Sequence, residues 1–229
     1  MSAIWLDLEE EGFLERNSSF AGPQIVEMSH REGIEQVLCV ARDLLEAAPF
    51  TGLILRDVPE YVEAIFGDGP LCYMDRPEAE VSEEWVQLIP YCVVQRQCPE
   101  RRVFHYRRAG SEGRLTGKRS LGVGGHVNPV DGFRPGRAAY ERGVRRELLE
   151  EIGYGYEDCL LPVVGLIYDP SNAVGKVHLG LLHGVDVLGD FEPTPESALK
   201  ESEFCPPYEL PPIEEFETWS QLIIREFFR

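Results

Sequence analysis

The chain has 229 residues, which is enough for one large domain or for one domain with an extension. Its 22 Lys and Arg residues against 40 Asp and Glu residues give a formal net charge of −18, and such a surface repels nucleic-acid backbones and anionic membranes. We therefore expect no general nucleic-acid partner and no membrane partner, and the 43% hydrophobic content excludes a disordered chain.

From the N-terminal residues and the cysteines we expect a protein of the reducing cytoplasm. Residues 1–13 lack the basic and apolar segments of a secretory signal, and no apolar run reaches the roughly 18 to 20 residues of a membrane span. The six cysteines contain no pair two or four positions apart, so we expect reduced thiols and no cysteine zinc site. They are Cys39, Cys72, Cys92, Cys98, Cys159 and Cys205.

The predicted elements divide the chain into two parts. A helix is predicted over residues 29–48, with Ser29 and Glu32 as a capping box, and a second over residues 59–66, followed by a loop over residues 67–77. From residue 85, short β-rich runs predict strands at 86–94, 103–106, 121–125, 161–168 and 177–187. An acidic, proline-rich loop and a final helix over residues 214–227 follow. We therefore expect an N-terminal helical extension at 1–84 that packs on a domain at 85–229.

A helix is predicted over residues 137–154, and it contains the candidate metal-binding residues. The helical period brings Glu147, Glu150 and Glu151 to one face, and Gly153 supplies a C-terminal stop. Three carboxylates so close repel one another, and hard divalent cations favour oxygen ligands of this kind. A solvated face with ordinary ion pairs is the alternative interpretation.

The motif around these carboxylates resembles that of a known family. Arg146-Glu147, Leu148, Glu150-Glu151 and Gly153 match, in order and spacing, the latter half of the Nudix box, so the chain resembles the Nudix hydrolases. The box is usually preceded by a double glycine, which is present here as Gly124-Gly125. Residues 120–132 and 163–185 are similar to a bacterial and phage branch of the family that has a long loop after the double glycine. The resemblance covers about residues 85–190.

The match departs from the family pattern at one acidic position. Counting back from Arg146, the box glutamate falls on Ala138, which has no carboxylate. Asp131 and Glu141 are the two candidates to replace it. Because that glutamate usually supports the site, its loss affects the detail of the site more than its chemistry.

The resemblance implies a fold, an activity and a set of site residues. The fold is α/β (α+β), a Nudix-type α/β/α sandwich with a mixed sheet. The activity is a Mg²⁺- or Mn²⁺-dependent pyrophosphohydrolase that cleaves a nucleoside diphosphate linked to another group by attack of water on phosphorus. The resemblance assigns Glu147, Glu150, Glu151 and the Gly125 carbonyl to the metal, and Arg146 to orienting the glutamates. The general base is Glu150 or a later glutamate, with Glu196, Glu201 and Glu203 as candidates.

Several further residues have a functional and a structural interpretation. His126 follows the double glycine and could reach a phosphate or serve structurally, and with Gly124, Asp169 and Asn172 it is placed on the substrate side. His178 is interpreted as structural, and His105 and Tyr106 as nucleoside-pocket or packing residues. A basic cluster could attract a phosphorylated substrate or form a solvated hairpin turn. It consists of Arg107, Arg108, Arg114, Lys118 and Arg119.

Two other functions remain open for this sequence. One is a Nudix-fold sensor or regulatory protein that binds a nucleotide without turnover, although the intact set of three glutamates favours catalysis. The other is an isopentenyl diphosphate isomerase, which no cysteine context supports. Many relatives form dimers, so a homodimer is compatible with the resemblance, but the sequence does not identify the substrate.

Overall fold

The computed structural model describes residues 33–47, 51–97, 99–108, 117–155, 161–188 and 199–228. The strands in these ranges are β1 (Gln36–Ala41), β2 (Gly52–Ile54), β3 (Leu71–Asp75), β4 (Trp85–Arg96), β5 (Arg102–Arg108), β6 (Arg119–Ser120), β7 (Gly122–Val123), β8 (Val163–Tyr168), β9 (His178–Asp186) and β10 (Leu199–Cys205). The helices are α1 (Asp43–Ala47), α2 (Val58–Glu63), α3 (Arg76–Ala79), α4 (Arg137–Ile152), α5 (Ala173–Lys176) and α6 (Thr218–Phe227). A π-helical turn at Ala64–Asp68 extends α2, and 3-10 turns lie at Pro207–Glu209 and Ile213–Glu215.

All of these strands belong to one mixed sheet built around β4. The main path runs in the order β10-β5-β4-β9-β8-β2, in which β4 and β9 are parallel and the other neighbours are antiparallel. The remaining strands attach to its sides: β1 pairs with β3 and β4, β6 with β5, and β7 with β4. Because β4 has twelve residues, it pairs in succession with β1, β7 and β5.

Helices cover both faces of this sheet. On one face, α4 packs Tyr140 and Leu148 into a core shared with alternate residues of β4 and β9. On the other face, α6 packs Ile223 and Ile224 against residues from the opposite side of the same strands. Leu148 is fully buried, and burial of a leucine side chain stabilises a fold by about 2 kcal/mol. The predicted α/β/α sandwich with a mixed sheet is confirmed.

Most elements predicted after residue 85 are confirmed. The structure has β4, β5, β8 and β9 at the predicted strands, and α4 and α6 at the predicted helices. The strand predicted over residues 121–125 is shorter and covers only Gly122–Val123. Position 124 favours glycine, because its φ is 153° and a Cβ there would lie 2.1 Å from the Pro90 carbonyl oxygen. The helix predicted over residues 59–66 is confirmed as α2 and its π-helical extension.

The helix predicted over residues 29–48 is wrong in the described part. Residues 36–41 form β1, and only Asp43–Ala47 is helical. Val37 to Val40 are all fully buried, because β1 lies between β3 and β4 and packs on both faces. A continuous apolar run of this kind satisfies helical spacing and a two-sided buried strand equally well. The capping residues Ser29 and Glu32 lie outside the described residues.

Two predicted loops contain strands. The loop over residues 67–77 is wrong, because it holds β3 and the start of α3. The acidic segment after residue 187 holds β10, an edge strand that begins at the buried Leu199, ends at the buried Cys205 and has exposed charged side chains between them. Because β1 and β3 join the sheet through β4, the described part of residues 33–84 is not only helical. The domain boundary at residue 84 stays a prediction.

Two remaining predictions concern cysteines and membranes. Cys39, Cys72, Cys92 and Cys205 are free and buried, as expected for reduced thiols. Cys98 and Cys159 lie outside the described residues. Among the helices that the structure describes, none has the length and apolar content needed to cross a membrane.

Candidate metal and phosphate site

Helix α4 is fixed on the sheet by one apolar stripe. Tyr140, Val144, Leu148 and Ile152 recur every four residues, and each is at most 2% exposed. The helix ends at Gly153, whose backbone is left-handed with a φ of 65° and whose N–H donates to the carbonyl of Leu149 at 2.9 Å. The predicted C-terminal stop is therefore confirmed. This packing fixes which side chains of α4 face the double glycine.

Glu147 lies directly against that glycine pair. Its side chain is largely buried, and a Cβ built on Gly125 would lie 2.7 and 2.8 Å from the two carboxylate oxygens. Only a residue without a side chain therefore leaves room for the carboxylate at this position. Burial, together with the nearby charges of Glu150 and Glu151, raises the pKa of Glu147 to about 7, although Arg146 opposes the shift.

Arg146 joins the acidic residues of α4 to one another. Its Nη1 atom donates to Oε1 of Glu147 at 2.8 Å and to Oε2 of Glu150 at 2.9 Å. The structure thus brings Glu147 and Glu150 together around one guanidinium, and Glu151 is close enough to Glu147 to act on its charge. We refer to Glu147, Glu150 and Glu151 as the acidic face.

Asp131 holds the other side of the same guanidinium. The Nε and Nη2 atoms of Arg146 donate to the two Asp131 carboxylate oxygens at 2.8 and 2.9 Å, and Nη2 also donates to the carbonyl of His126 at 2.8 Å. Ala138 is exposed on the first turns of α4. Of the two candidate replacements for the box glutamate, the structure therefore places Asp131, and not Glu141, against Arg146.

His126, which follows Gly125, makes different contacts with its backbone and with its ring. Gly125 faces Glu147, whereas the ring of His126 lies 5.9 Å from the ring of His178, centroid to centroid. The segment that follows the double glycine continues to Val127, whose carbonyl accepts from the N–H of Leu38 in β1. The backbone of His126 therefore contacts the acidic network, and its ring lies near the ring of His178.

Asp169 and Asn172 have local structural partners. The carboxylate of Asp169 accepts from the N–H of Ser171 at 3.1 Å, which is the turn expected from the sequence. Asn172 caps α5, since its side-chain oxygen accepts from the N–H of Gly175 at 3.0 Å. A substrate role for these two residues and for Gly124 stays a prediction.

His105 and Tyr106 are packed inside the protein. His105 is fully buried, and burial together with the charge of Arg119 lowers its pKa to about 4. The hydroxyl of Tyr106 donates to the carbonyl of Gly122 at 2.6 Å. Both contacts agree with the packing interpretation of these aromatic side chains.

The basic cluster forms ion pairs with glutamates of β10 and of the nearby 3-10 turn. Arg107 donates to Glu201 at 2.9 Å and lies 3.5 Å from Glu215, and Arg119 lies 3.6 Å from Glu201. Glu203 lies 3.5 Å from His105. The hairpin with paired charges is the interpretation that these contacts favour. Arg114 and the base candidate Glu196 lie outside the described residues.

Glu80 is the residue that no sequence motif singled out. It follows α3, in the part of the chain that the resemblance does not cover, yet its carboxylate lies near the imidazoles of His126 and His178. The residues around Glu80 match no site motif, so only the tertiary structure could identify it.

The comparisons with known proteins agree with this geometry. No family model matches the chain. The chain is 32% identical over 209 residues to Protein YmaB of Bacillus subtilis (strain 168), an alignment that covers 83% of this chain and 96% of YmaB. Among solved structures, it is similar to Tm1382, described as a candidate Nudix hydrolase, with a TM-score of 0.65 and 29% identity over 83% of this chain and 97% of Tm1382.

Proposed function

The chain belongs to the Nudix hydrolase family, and we propose that it is a divalent-metal-dependent pyrophosphohydrolase. The reaction is attack of water on phosphorus in a nucleoside diphosphate that is linked to another group. The observation that carries the proposal is the position of the Glu147 carboxylate against Gly125, with Arg146 joining it to Glu150. An ordinary solvated helix face would not bury its central glutamate against a glycine.

The donor set of the acidic face fits Mg²⁺, with Mn²⁺ as the alternative. Glu147, Glu150, Glu151 and the Gly125 carbonyl offer oxygen ligands, which hard divalent cations prefer. The missing side chain at Gly125 is part of this fit, since any Cβ would occupy the space that the Glu147 carboxylate takes. When bound there, the divalent ion supplies Lewis-acid stabilisation of the charge that develops on the phosphoryl oxygens.

Two side chains beside the acidic face hold its carboxylates in position. Arg146 orients Glu147 and Glu150 through charge-assisted hydrogen bonds, and Asp131 fixes Arg146. Asp131 thereby takes the supporting position that the family gives to the box glutamate. Both effects place the carboxylates before substrate arrives, which lowers the cost of reaching the reactive geometry.

We assign the general base to Glu150. Its side chain is 58% exposed, so attacking water can reach it, while the contact with Arg146 holds one of its oxygens. Glu201 and Glu203 are already engaged with Arg107 and His105. In the reaction, the water oxygen bonds to phosphorus as the bridging phosphorus–oxygen bond breaks, and Glu150 takes the proton of the water.

Phosphate release from a panel of nucleoside diphosphate compounds tests the proposal. Each compound is incubated with magnesium and the protein, and the phosphomonoester products are measured by coupled phosphatase. We expect turnover of at least one compound class, and a loss of about 100-fold or more in Glu150→Gln and Glu151→Gln, because each variant removes a base or metal ligand.

Glu226→Gln on α6 is the matched control, because it makes the same substitution at an exposed position. It should keep the activity, since surface substitutions away from a site have little effect. Equal, slow phosphate release by all of these proteins, together with nucleotide binding by the wild type, would instead identify a nucleotide-binding sensor.

A further inference from the structure

Glu80, His126 and His178 form a second cluster of metal-ligating side chains, next to the double-glycine segment. One ligand atom from each of the three residues lies within 4.8 Å of the other two. They come from three separate parts of the chain: Glu80 follows α3, His126 follows the double glycine, and His178 begins β9. The fold, and not a local motif, therefore brings them together.

The hydrogen bond of His178 prepares its other nitrogen for a metal. The Nδ1 atom lies 2.7 Å from the carbonyl oxygen of Val174. A carbonyl can only accept, so Nδ1 carries the hydrogen and Nε2 keeps its lone pair. Histidines that bind metals commonly have this arrangement, because the outer carbonyl fixes the tautomer and the orientation of the ring.

Gln87 provides a second, independent observation at the same place. It is the in-register neighbour of His178 on the adjacent parallel strand, so the two side chains leave the same face of the sheet. The side chain is fully buried, and neither its amide nitrogen nor its oxygen has a hydrogen-bond partner among the described residues. A buried amide without partners is costly, and a water molecule bound to an ion at this place could donate to the amide oxygen.

The two clusters differ in the ions that they favour. Magnesium takes oxygen ligands, whereas two imidazoles and one carboxylate suit zinc and its first-row neighbours. With zinc–ligand distances near 2.1 Å, tetrahedral donor atoms lie about 3.4 Å apart, so small side-chain rotations close the observed separation. Arg76 is the competing cation, but its Nε atom lies 3.6 Å from Glu80 and the same guanidinium donates to Glu35 at 2.9 Å.

We propose that Glu80, His126 and His178 bind one divalent first-row transition metal ion, with zinc as the preferred ion. This site uses none of the ligands of the magnesium site of the proposed function and does not depend on it. The ion links the segment after α3 to the double-glycine segment and to the start of β9. It therefore stabilises the attachment of the N-terminal part of the chain to the sheet.

Equilibrium dialysis against micromolar zinc in millimolar magnesium tests the proposal, because magnesium then occupies the oxygen sites. Zinc is counted per full-length chain. We expect one zinc per chain in the wild type and in Glu150→Gln. Glu80→Gln and His178→Gln should bind zinc at least about 100-fold more weakly, because loss of a metal ligand costs more than the 10–100-fold loss seen when a residue that hydrogen-bonds to a ligand is removed. Glu78→Gln is the matched control on the same helix and should keep the ion.

Two further measurements keep the test decisive. Zinc should raise the melting temperature of the wild type and of Glu78→Gln but not that of Glu80→Gln, whose substitution preserves shape at a partly exposed position. Cobalt should bind without the near-ultraviolet thiolate band that cysteine ligands give. The proposal is overturned if the folded wild type takes up no zinc, if Glu80→Gln retains zinc, or if Glu150→Gln alone loses zinc. It is also overturned if bound cobalt shows thiolate ligation.

Discussion

Replacing Arg146 by alanine tests the charge network that supports the acidic face. Arg146 donates to both oxygens of Asp131, whose side chain is only 2% exposed. Removing one partner of a buried ion pair typically costs about 3–5 kcal/mol, because the other charge remains buried without compensation. Asp131 keeps one hydrogen bond, from the N–H of Asn128 at 3.0 Å. We therefore expect the lower end, about 3 kcal/mol, which is a large part of the usual 5–15 kcal/mol of total stability.

Urea denaturation at neutral pH measures this loss, with an unchanged m-value as evidence that the denatured state is the same. Arg137→Ala is the matched control, because Arg137 pairs with Glu63 at side-chain exposures of 47% and 71%. An exposed pair contributes at most about 1 kcal/mol.

Asp131→Asn identifies the partner. It removes the buried charge, so the double variant with Arg146→Ala should be more stable than the sum of the two single losses predicts, by about 1–2 kcal/mol. Additive losses in the double variant, or equal losses in Arg146→Ala and Arg137→Ala, would refute the assignment of Asp131 as the residue that Arg146 neutralises.

Two further predictions concern Gly125 and a buried histidine. Gly125→Ala should lower turnover about 100-fold with little loss of stability, because the added methyl group displaces the Glu147 carboxylate by a fraction of an ångström or more. Gly155→Ala is the control and should keep its turnover, since a Cβ at that position meets no atom within 4 Å. Equal rates for the two variants in a phosphate-release assay would contradict this prediction. Burial lowers the pKa of His183 to about 4, so below its unfolded value of about 6.5 the unfolded chain binds a proton that the folded chain does not. The free energy of unfolding should therefore fall by about 3 kcal/mol as pH drops from 6.5 to 4. His183→Asn should remove that part of the pH dependence in urea titrations. An unaltered pH profile in this variant would contradict the assignment to His183.

The sequence identified the parts of the fold whose signal is local. The apolar period of α4, its glycine stop and the spacing of Arg146, Glu147 and Glu150 are all set within about four turns of one helix. The same holds for β4 and β9, whose runs of apolar residues have strand length and clear ends. The activity expected from these motifs remains a proposal, but its residues lie together as their spacing predicted.

The predictions that were wrong concern segments whose structure depends on hydrogen bonds to other strands. Residues 36–41 form a strand because β3 and β4 bond to both edges, and β10 exists because β5 offers a free edge to an acidic segment. Backbone hydrogen bonds in a sheet are made with distant residues, so a single segment does not reveal whether a partner is available. Local spacing alone favoured a helix for the first segment and a loop for the second.

The sequence by itself determined that this protein carries a carboxylate-bearing helix, preceded along the chain by a double glycine, because helical geometry depends only on residue spacing. Only the tertiary structure decided that Asp131 lies against Arg146, and that the Glu80 carboxylate lies near the imidazoles of His126 and His178. Those groups meet through the packing of separate segments on one sheet, and contacts of that kind have no fixed spacing along the chain that could reveal them.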